Sequence, residues 1–340
     1  MAKTYPTASE LEFVGNDHRT FEIYPQIEMR KVRFRNRFGT EVVGDLYLPE
    51  GFDEASEKRY PALVASHPHG GVKEQSNGLY AQEMATYGFV ALAIDLSFGG
   101  ESGGSPRHAS SPETYVEDIM SAVDWIGLQS FVDRERIGLI GICASGGFAT
   151  AAASLDPRIK ALATFSMYDM GKATREDLGH AIGRDARIAM LAAASEQRWR
   201  EAAGAQTAYA IPAFPTTSEA TAALYEQVDP VTQEFFTYYC TSRGRTPNCT
   251  GQITTNSTAA LMGFFPFANI DLLAGRPQLY VMGADAHSRE FTEDAFAVAP
   301  EPKELVVIPD CDHVDLYDNK EKIPFAKVAG FFETALGEQG

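Results

Sequence analysis

Cysteine is scarce and poorly spaced for structural work. The 340 residues contain four, Cys143, Cys240, Cys249 and Cys311, and no CxxC pair. That excludes a disulfide framework and a zinc knuckle and predicts a reduced, cytoplasmic protein. Long hydrophobic runs are missing too. No stretch approaches the ~20 apolar residues that span a bilayer, and Met1 to Pro6 lack the apolar core of a secretory signal. Positive charge is in deficit: 29 Lys and Arg face 46 Asp and Glu, for a net charge of -17. Such a surface repels phosphate backbones and anionic lipid, so neither nucleic acid nor membrane is expected as a partner. There is no internal repeat and no low-complexity tract. Two glycosylation sequons, at Asn248 and Asn256, read as chance matches without a secretory signal.

Apolar residues are plentiful. They make up 44% of the chain, enough for a large buried core. Val32 and Phe34 alternate with Arg33 and Arg35, and residues 42–48 return after Gly39-Thr40, which predicts an N-terminal hairpin. Short apolar runs at 62–65, 89–94, 137–142 and 159–165 then alternate with helical spacing, clearest at Tyr115, Ile119, Ala122 and Ile126. Continuous apolar strands separated by helices imply a mostly parallel sheet covered on both faces. The alternation stops near Asp169 and resumes with strands at 279–282 and 305–308 and a final helix through Phe325 and Phe331. The expected organisation is an α/β core of residues 1–169, a mostly helical cap over 170–276 without a clear strand, and the rest of the core over 277–340.

The chemistry concentrates at Gly141-Ile142-Cys143-Ala144-Ser145-Gly146-Gly147. A buried strand runs into a cluster of small residues, and a helix follows. A sharp strand-to-helix turn needs small residues two before and two after its nucleophile. Gly141 and Ser145 flank Cys143 at those distances. The helix N-terminus behind the turn offers free N–H groups and partial positive charge, which favour a thiolate and an oxyanion. Ser145 is the alternative nucleophile, flanked in turn by Cys143 and Gly147. Register favours Cys143, because the strand delivers it to its end while Ser145 falls within the first helical turn.

His313 is the candidate base, as the histidine between the last strand and the last helix. Asp285, after the preceding strand, is the first candidate for the acid that orients it, and Asp169 is the alternative. Asp312 and Asp315 are too near in sequence to orient His313. In Ser66-His67-Pro68-His69-Gly70-Gly71 the second oxyanion donor is His69 or Gly70, since Pro68 has no N–H. Ala144 supplies the first. The His67-x-His69 spacing lacks a third ligand, so no metal is expected. The loop Asp95-Leu96-Ser97-Phe98-Gly99-Gly100-Glu101-Ser102 lacks the GK[ST] ending of a phosphate cradle and reads as a turn beside the site. The aromatics Phe235, Tyr238, Tyr239, Phe264 and Phe267 are candidates for the wall of an acyl pocket.

With these motifs the chain resembles the dienelactone-hydrolase-like α/β-hydrolases, in the branch with bacterial hydrolases and fungal polyketide transferases and thiohydrolases. The resemblance rests on His67-Pro68-His69-Gly70-Gly71-Val72-Lys73-Glu74-Gln75, Gly99-Gly100-Glu101-Ser102-Gly103-Gly104, the Cys143 turn and His313-Val314-Asp315-Leu316-Tyr317-Asp318. It implies an α/β-hydrolase fold and a Cys-His-Asp triad that transfers to Cys143 and His313. Ser145 departs from the family's glycine after the nucleophile, and Asp285 stands closer to Gly283 than is usual. The expected activity is hydrolysis of small carboxylic esters, lactones or thioesters without a cofactor. Acyl transfer on the same triad is the alternative, and a non-catalytic ligand-binding protein on the same scaffold is a third. Homo-oligomerisation stays open.

Overall fold

The structure, a computed structural model, describes residues 18–337. Met1 to Pro6, read above for a signal sequence, lie outside the described residues.

The chain begins with strand β1 (Glu28–Arg35) and strand β2 (Glu41–Leu48), paired antiparallel with Phe34 opposite Val42. Gly39, at φ +84°, makes the turn between them. Four units of the α/β core follow: β3 (Tyr60–Ser66), helix α1 (Ser76–Thr86), β4 (Val90–Ile94), α2 (Pro112–Gly127), β5 (Val132–Ile142), α3 (Ser145–Leu155) and β6 (Ile159–Phe165). Local chemistry accounts for α2. The Ser111 hydroxyl caps the Thr114 N–H, Pro112 opens the first turn and Glu113 faces the positive helix end. Its Tyr115, Ile119, Ala122 and Ile126 are buried, as their spacing predicts.

Between β6 and the next sheet strand run α4 (Met170–Glu176), α5 (Arg184–Ala202), β7 (Tyr209–Ile211), α6 (Ser218–Tyr225), α7 (Pro230–Tyr239), β8 (Ile253–Thr254) and α8 (Ser257–Met262). The two-stranded β7–β8 ladder corrects the expectation that this stretch lacks strands. Three and two residues are too few to show a period of two in the sequence. The sheet then resumes with β9 (Gln278–Gly283), α9 (Arg289–Val298) and β10 (Lys303–Ile308), and the chain closes through α10 (Asp315–Asp318) and α11 (Phe325–Ala335).

The eight-stranded sheet has the order β1-β2-β4-β3-β5-β6-β9-β10. Pairing is antiparallel from β1 through β2 to β4 and parallel from there on. Its central strands are buried on both faces, which is why they read as unbroken apolar runs. A parallel sheet collects the loops after its strands along one edge. Here that edge receives the loops after β3, β5, β6, β9 and β10, which hold His69, Cys143, Tyr168, Ser288 and His313.

Candidate active site

The turn after β5 is strained where chemistry would use it. Cys143 adopts φ +55°, a left-handed conformation that costs a non-glycine residue about 1–3 kcal/mol. Three backbone bonds hold it there: its N–H donates to the Phe165 oxygen at 2.9 Å, and its own oxygen accepts from Gly146 and Tyr168. The small residues around it are a packing requirement. A Cβ on Gly141 would lie 2.3 Å from the Ser145 oxygen, and one on Gly146 2.9 Å from Met167.

The backbone N–H groups of His69 and Ala144 both act on the Cys143 thiol and favour its thiolate. One donor therefore comes from the β3 loop and one from the start of α3. Of the two residues considered for the second donor, it is the His69 N–H that acts on the thiol. Gly70 supplies the turn, at φ +71°, and its oxygen accepts from the Cys249 thiol. The His69 ring is tied to the Ser110 hydroxyl at 2.8 Å. Burial pushes the His67 imidazole down to about 4, and both its nitrogens are engaged, one with the Pro68 oxygen and one with the Leu96 N–H. His67 thus braces the loop from behind.

The Ser145 hydroxyl donates to the His67 oxygen at 2.5 Å and is fully buried. It ties α3 to the β3 loop and does not line the cavity above Cys143. The geometry thus brings Cys143, and not Ser145, to the cavity floor.

His313 is sealed from solvent, and both ring nitrogens have partners. Nδ1 lies 2.6 Å from the Ser288 hydroxyl and Nε2 2.9 Å from the Tyr317 hydroxyl. The Tyr317 hydroxyl also acts on the Cys143 thiol and favours its thiolate, so one phenol stands between Cys143 and His313. Burial pushes the Cys143 thiol up to about 11, and burial together with the nearby His287 ring pushes His313 well below the usual histidine range.

The acid assignment is corrected. Asp285 is exposed, and the Nδ1 position it was expected to fill belongs to Ser288, three residues on. The β9 and β10 loops approach closely here, since a Cβ on Gly283 would lie 2.1 Å from the Cys311 oxygen, and the Asp285 N–H donates to that same oxygen while its side chain is exposed. The alternative acid, Asp169, caps α4 by accepting from the Lys172 N–H at 2.8 Å. The carboxylate that enters this region comes from the cap. Glu234 of α7 accepts from the Val314 N–H and pairs with His287 Nδ1 at 2.9 Å, and the His287 ring lies 4.7 Å from that of His313.

Above Cys143 lies a cavity of about 510 Å³, walled by Phe214, Leu224, Phe235, Phe236, Tyr239 and Ile253 among others. Of the five aromatics singled out in the sequence, Phe235 and Tyr239 line it. Tyr238 is fully buried behind it, packed at 5.0 Å on the Tyr317 ring. Phe264 stacks on Phe148 and faces a separate groove along α2 and α3, and Phe267 packs against the core. These three are corrected to packing roles. Sequence reading passed over Ser288, His287, Glu234, Phe214 and Tyr317. Tyr317 had a usable signal, because it follows His313 by four residues, one helical turn on.

A sheet of this order, with a thiol on the strained turn after its central strand and a histidine after its last, makes the protein an α/β-hydrolase-fold protein. Comparison with known proteins narrows the class. A model of the dienelactone hydrolase family matches residues 52–197, and the chain belongs to that family. The protein PA2218 of Pseudomonas aeruginosa is 40% identical over 338 residues, covering 98% of this chain and 88% of its own. Its crystal structure matches with a TM-score of 0.87 over 95% of this chain and 98% of that one. YcjY of Escherichia coli is 33% identical over 294 residues, 86% of this chain and 93% of that one. The thiohydrolase aneE of Aspergillus aculeatus is 35% identical over a shorter stretch of 130 residues, 38% of this chain and 39% of that protein. Family membership supports hydrolase activity. Among the described residues no helix is long and apolar enough to cross a membrane.

Proposed function

We propose that the protein hydrolyses uncharged carboxylic esters, lactones or thioesters through a covalent acyl-enzyme on Cys143, with His313 as the base. The observation that carries this reading is a thiol held on a strained turn at the floor of an apolar cavity, with the Ala144 and His69 N–H groups favouring its thiolate. Donors that act on the thiol at rest are placed to meet the carbonyl oxygen of a substrate under attack.

The thiol loses its proton toward His313 as sulfur attacks the acyl carbon. The carbonyl electron pair moves to oxygen, held by the two N–H groups. Collapse expels the alcohol or thiol, which recovers the proton, and His313 then activates water against the acyl-enzyme. Among the described residues the cavity lining has no carboxylate, lysine or arginine, which fits a neutral acyl group and disfavours an acidic one. Its volume is that of a small-molecule site. The thiohydrolase name of aneE fits the thioester branch of this reading.

An activated aryl ester and its thioester analogue provide the test. The Cys143→Ala variant is expected to lose roughly a thousandfold or more in kcat, and Ser145→Ala to keep kcat within about tenfold, the loss of one hydrogen bond. Wild-type turnover in Cys143→Ala together with a dead Ser145→Ala would transfer the role to Ser145. Assay in water with and without added alcohol or amine separates hydrolysis from acyl transfer.

A further inference from the structure

We propose that Tyr317 is a catalytic residue, a proton relay through which Cys143 and His313 exchange the proton during acyl transfer. The inference rests on the reading of Cys143 and His313 as nucleophile and base. Its basis is geometric. His313 is fully buried, and its Nε2, the nitrogen facing the cavity side, is already engaged at 2.9 Å by the Tyr317 hydroxyl. The same residue lines the cavity together with Cys143, and its hydroxyl acts on the thiol to favour the thiolate. A direct thiol–imidazole bond, which a two-member dyad needs, would compete with this bridge for both partners.

The relay requires one polarity of this row during proton transfer. With the Ser288 oxygen accepting from Nδ1–H, Nε2 carries a lone pair and accepts from the Tyr317 O–H. The phenol oxygen is then left to accept from the Cys143 S–H. In that polarity every donor points from sulfur toward the imidazole. Burial supports the direction, since it holds the thiol and the imidazole uncharged at rest and disfavours a tyrosinate. A free tyrosinate is therefore bypassed and the two proton transfers are concerted.

The step balances as follows. The S–H proton passes to the Tyr317 oxygen while the Tyr317 proton passes to Nε2. The sulfur electron pair forms the C–S bond, and the carbonyl π pair moves to the oxygen held by Ala144 and His69. On collapse the imidazolium proton returns to Tyr317, and the Tyr317 proton passes to the departing alcohol or thiol. Water repeats the sequence against the thioester: its proton leaves through Tyr317 to His313, its oxygen bonds the acyl carbon, and the C–S pair returns to sulfur, which regains a proton.

The ring of Tyr317 is packed by Tyr238 and Tyr239 at 5.0 and 6.2 Å, so Tyr317→Phe keeps that packing and removes only the hydroxyl. Acylation is read as the burst phase on an activated aryl ester. The variant is expected to lose about a hundredfold or more in burst rate, with KM within about threefold of wild type. A burst within threefold of wild type, with Cys143→Ala inactive, overturns the relay and leaves the nucleophile intact; an active Cys143→Ala overturns the nucleophile reading instead. Should Tyr317→Phe fail to fold, a proton inventory of the wild-type burst decides. Corrected for the isotope preference of the resting thiol, it curves when two protons move in the transition state and is straight when one does. A straight plot overturns the relay.

Discussion

Ser288 stands 2.6 Å from the buried Nδ1 of His313, where a hydroxyl can orient the ring without bringing a second charge into the core. The difference from a carboxylate is energetic. A charged partner stabilises an imidazolium directly, whereas a hydroxyl fixes the tautomer and contributes one neutral hydrogen bond, about 0.5–1.5 kcal/mol net. The Ser288→Ala variant is therefore expected to lose about tenfold in kcat with little change in KM. Asp285→Asn, altering an exposed side chain, is expected to match wild type. Steady-state kinetics on one ester check both, and a greater loss in Asp285→Asn than in Ser288→Ala would return the acid role to Asp285. The resting site is a neutral one, because the same enclosure that raises the thiol lowers the imidazole.

Helix α7 brings cap and core together. Asp229 caps it, accepting from the N–H groups of Val231 and Thr232, and Pro230 starts its first turn. Its Phe235, Phe236 and Tyr239 reach the cavity. Glu234 on the same helix bonds the Val314 N–H beside His313. The helix thus sets the shape of the acyl site and its registry with the base loop at once. Phe214 completes the wall by stacking on Tyr239 at 5.1 Å. Alanine variants of Phe214, Phe235 and Tyr239 are expected to shift the acyl-chain preference in kcat/KM toward longer chains, by about 1–3 kcal/mol per methylene at most. Phe264→Ala and Phe267→Ala are expected to lower thermal stability and leave the preference unchanged. A short-to-long series of acyl esters, with melting temperatures for each variant, tests the division. An unchanged preference in all three wall variants would make the wall purely structural.

Beside the loop after β3 the whole molecule carries a buried ion cluster. Lys73 is fully enclosed and bonds Glu74, Asp95 and Glu101 through Nζ, while its N–H donates to Asp95 at 2.7 Å. Burial alone would lower the lysine, but Asp95, Glu74 and Asp45 outweigh it and push it up. The glycine-rich loop of residues 95–102 is the wrapping of this cluster: Gly100, at φ +50°, passes so near Asp95 that a Cβ would lie 2.3 Å from the carboxylate. Asp45 on β2 sits alongside, buried, with Oδ1 unbonded, and burial pushes it up to about 7. Its folded state therefore holds the proton more tightly than its unfolded state does. The associated stability is fully present below the unfolded value near 4 and is lost as pH rises to about 7, at up to ~1.4 kcal/mol per pH unit. Asp45→Asn, which cannot ionise, is expected to flatten that decline. Urea unfolding of both proteins at pH 5 and pH 8 measures it, and equal declines would remove Asp45 as its source.

The local pattern of the sequence determined the strands of the sheet, the turn at Cys143 and the histidine after the last strand. Buried parallel strands are continuous apolar runs, and an elbow requires small residues at fixed offsets, so both are written over a few adjacent positions. Tertiary structure alone decided which side chain meets Nδ1, what stands between the thiol and the imidazole, and which aromatics face the cavity. Ser288 and Asp285 are three residues apart on one loop, and no local pattern tells which of them meets His313. Tyr238 and Tyr239 are adjacent, yet on a helix neighbours point about 100° apart, so one lines the site and the other packs behind it. Short-range periodicity encodes elements, while a site assembled from five loops and a cap is set by how those elements close on one another.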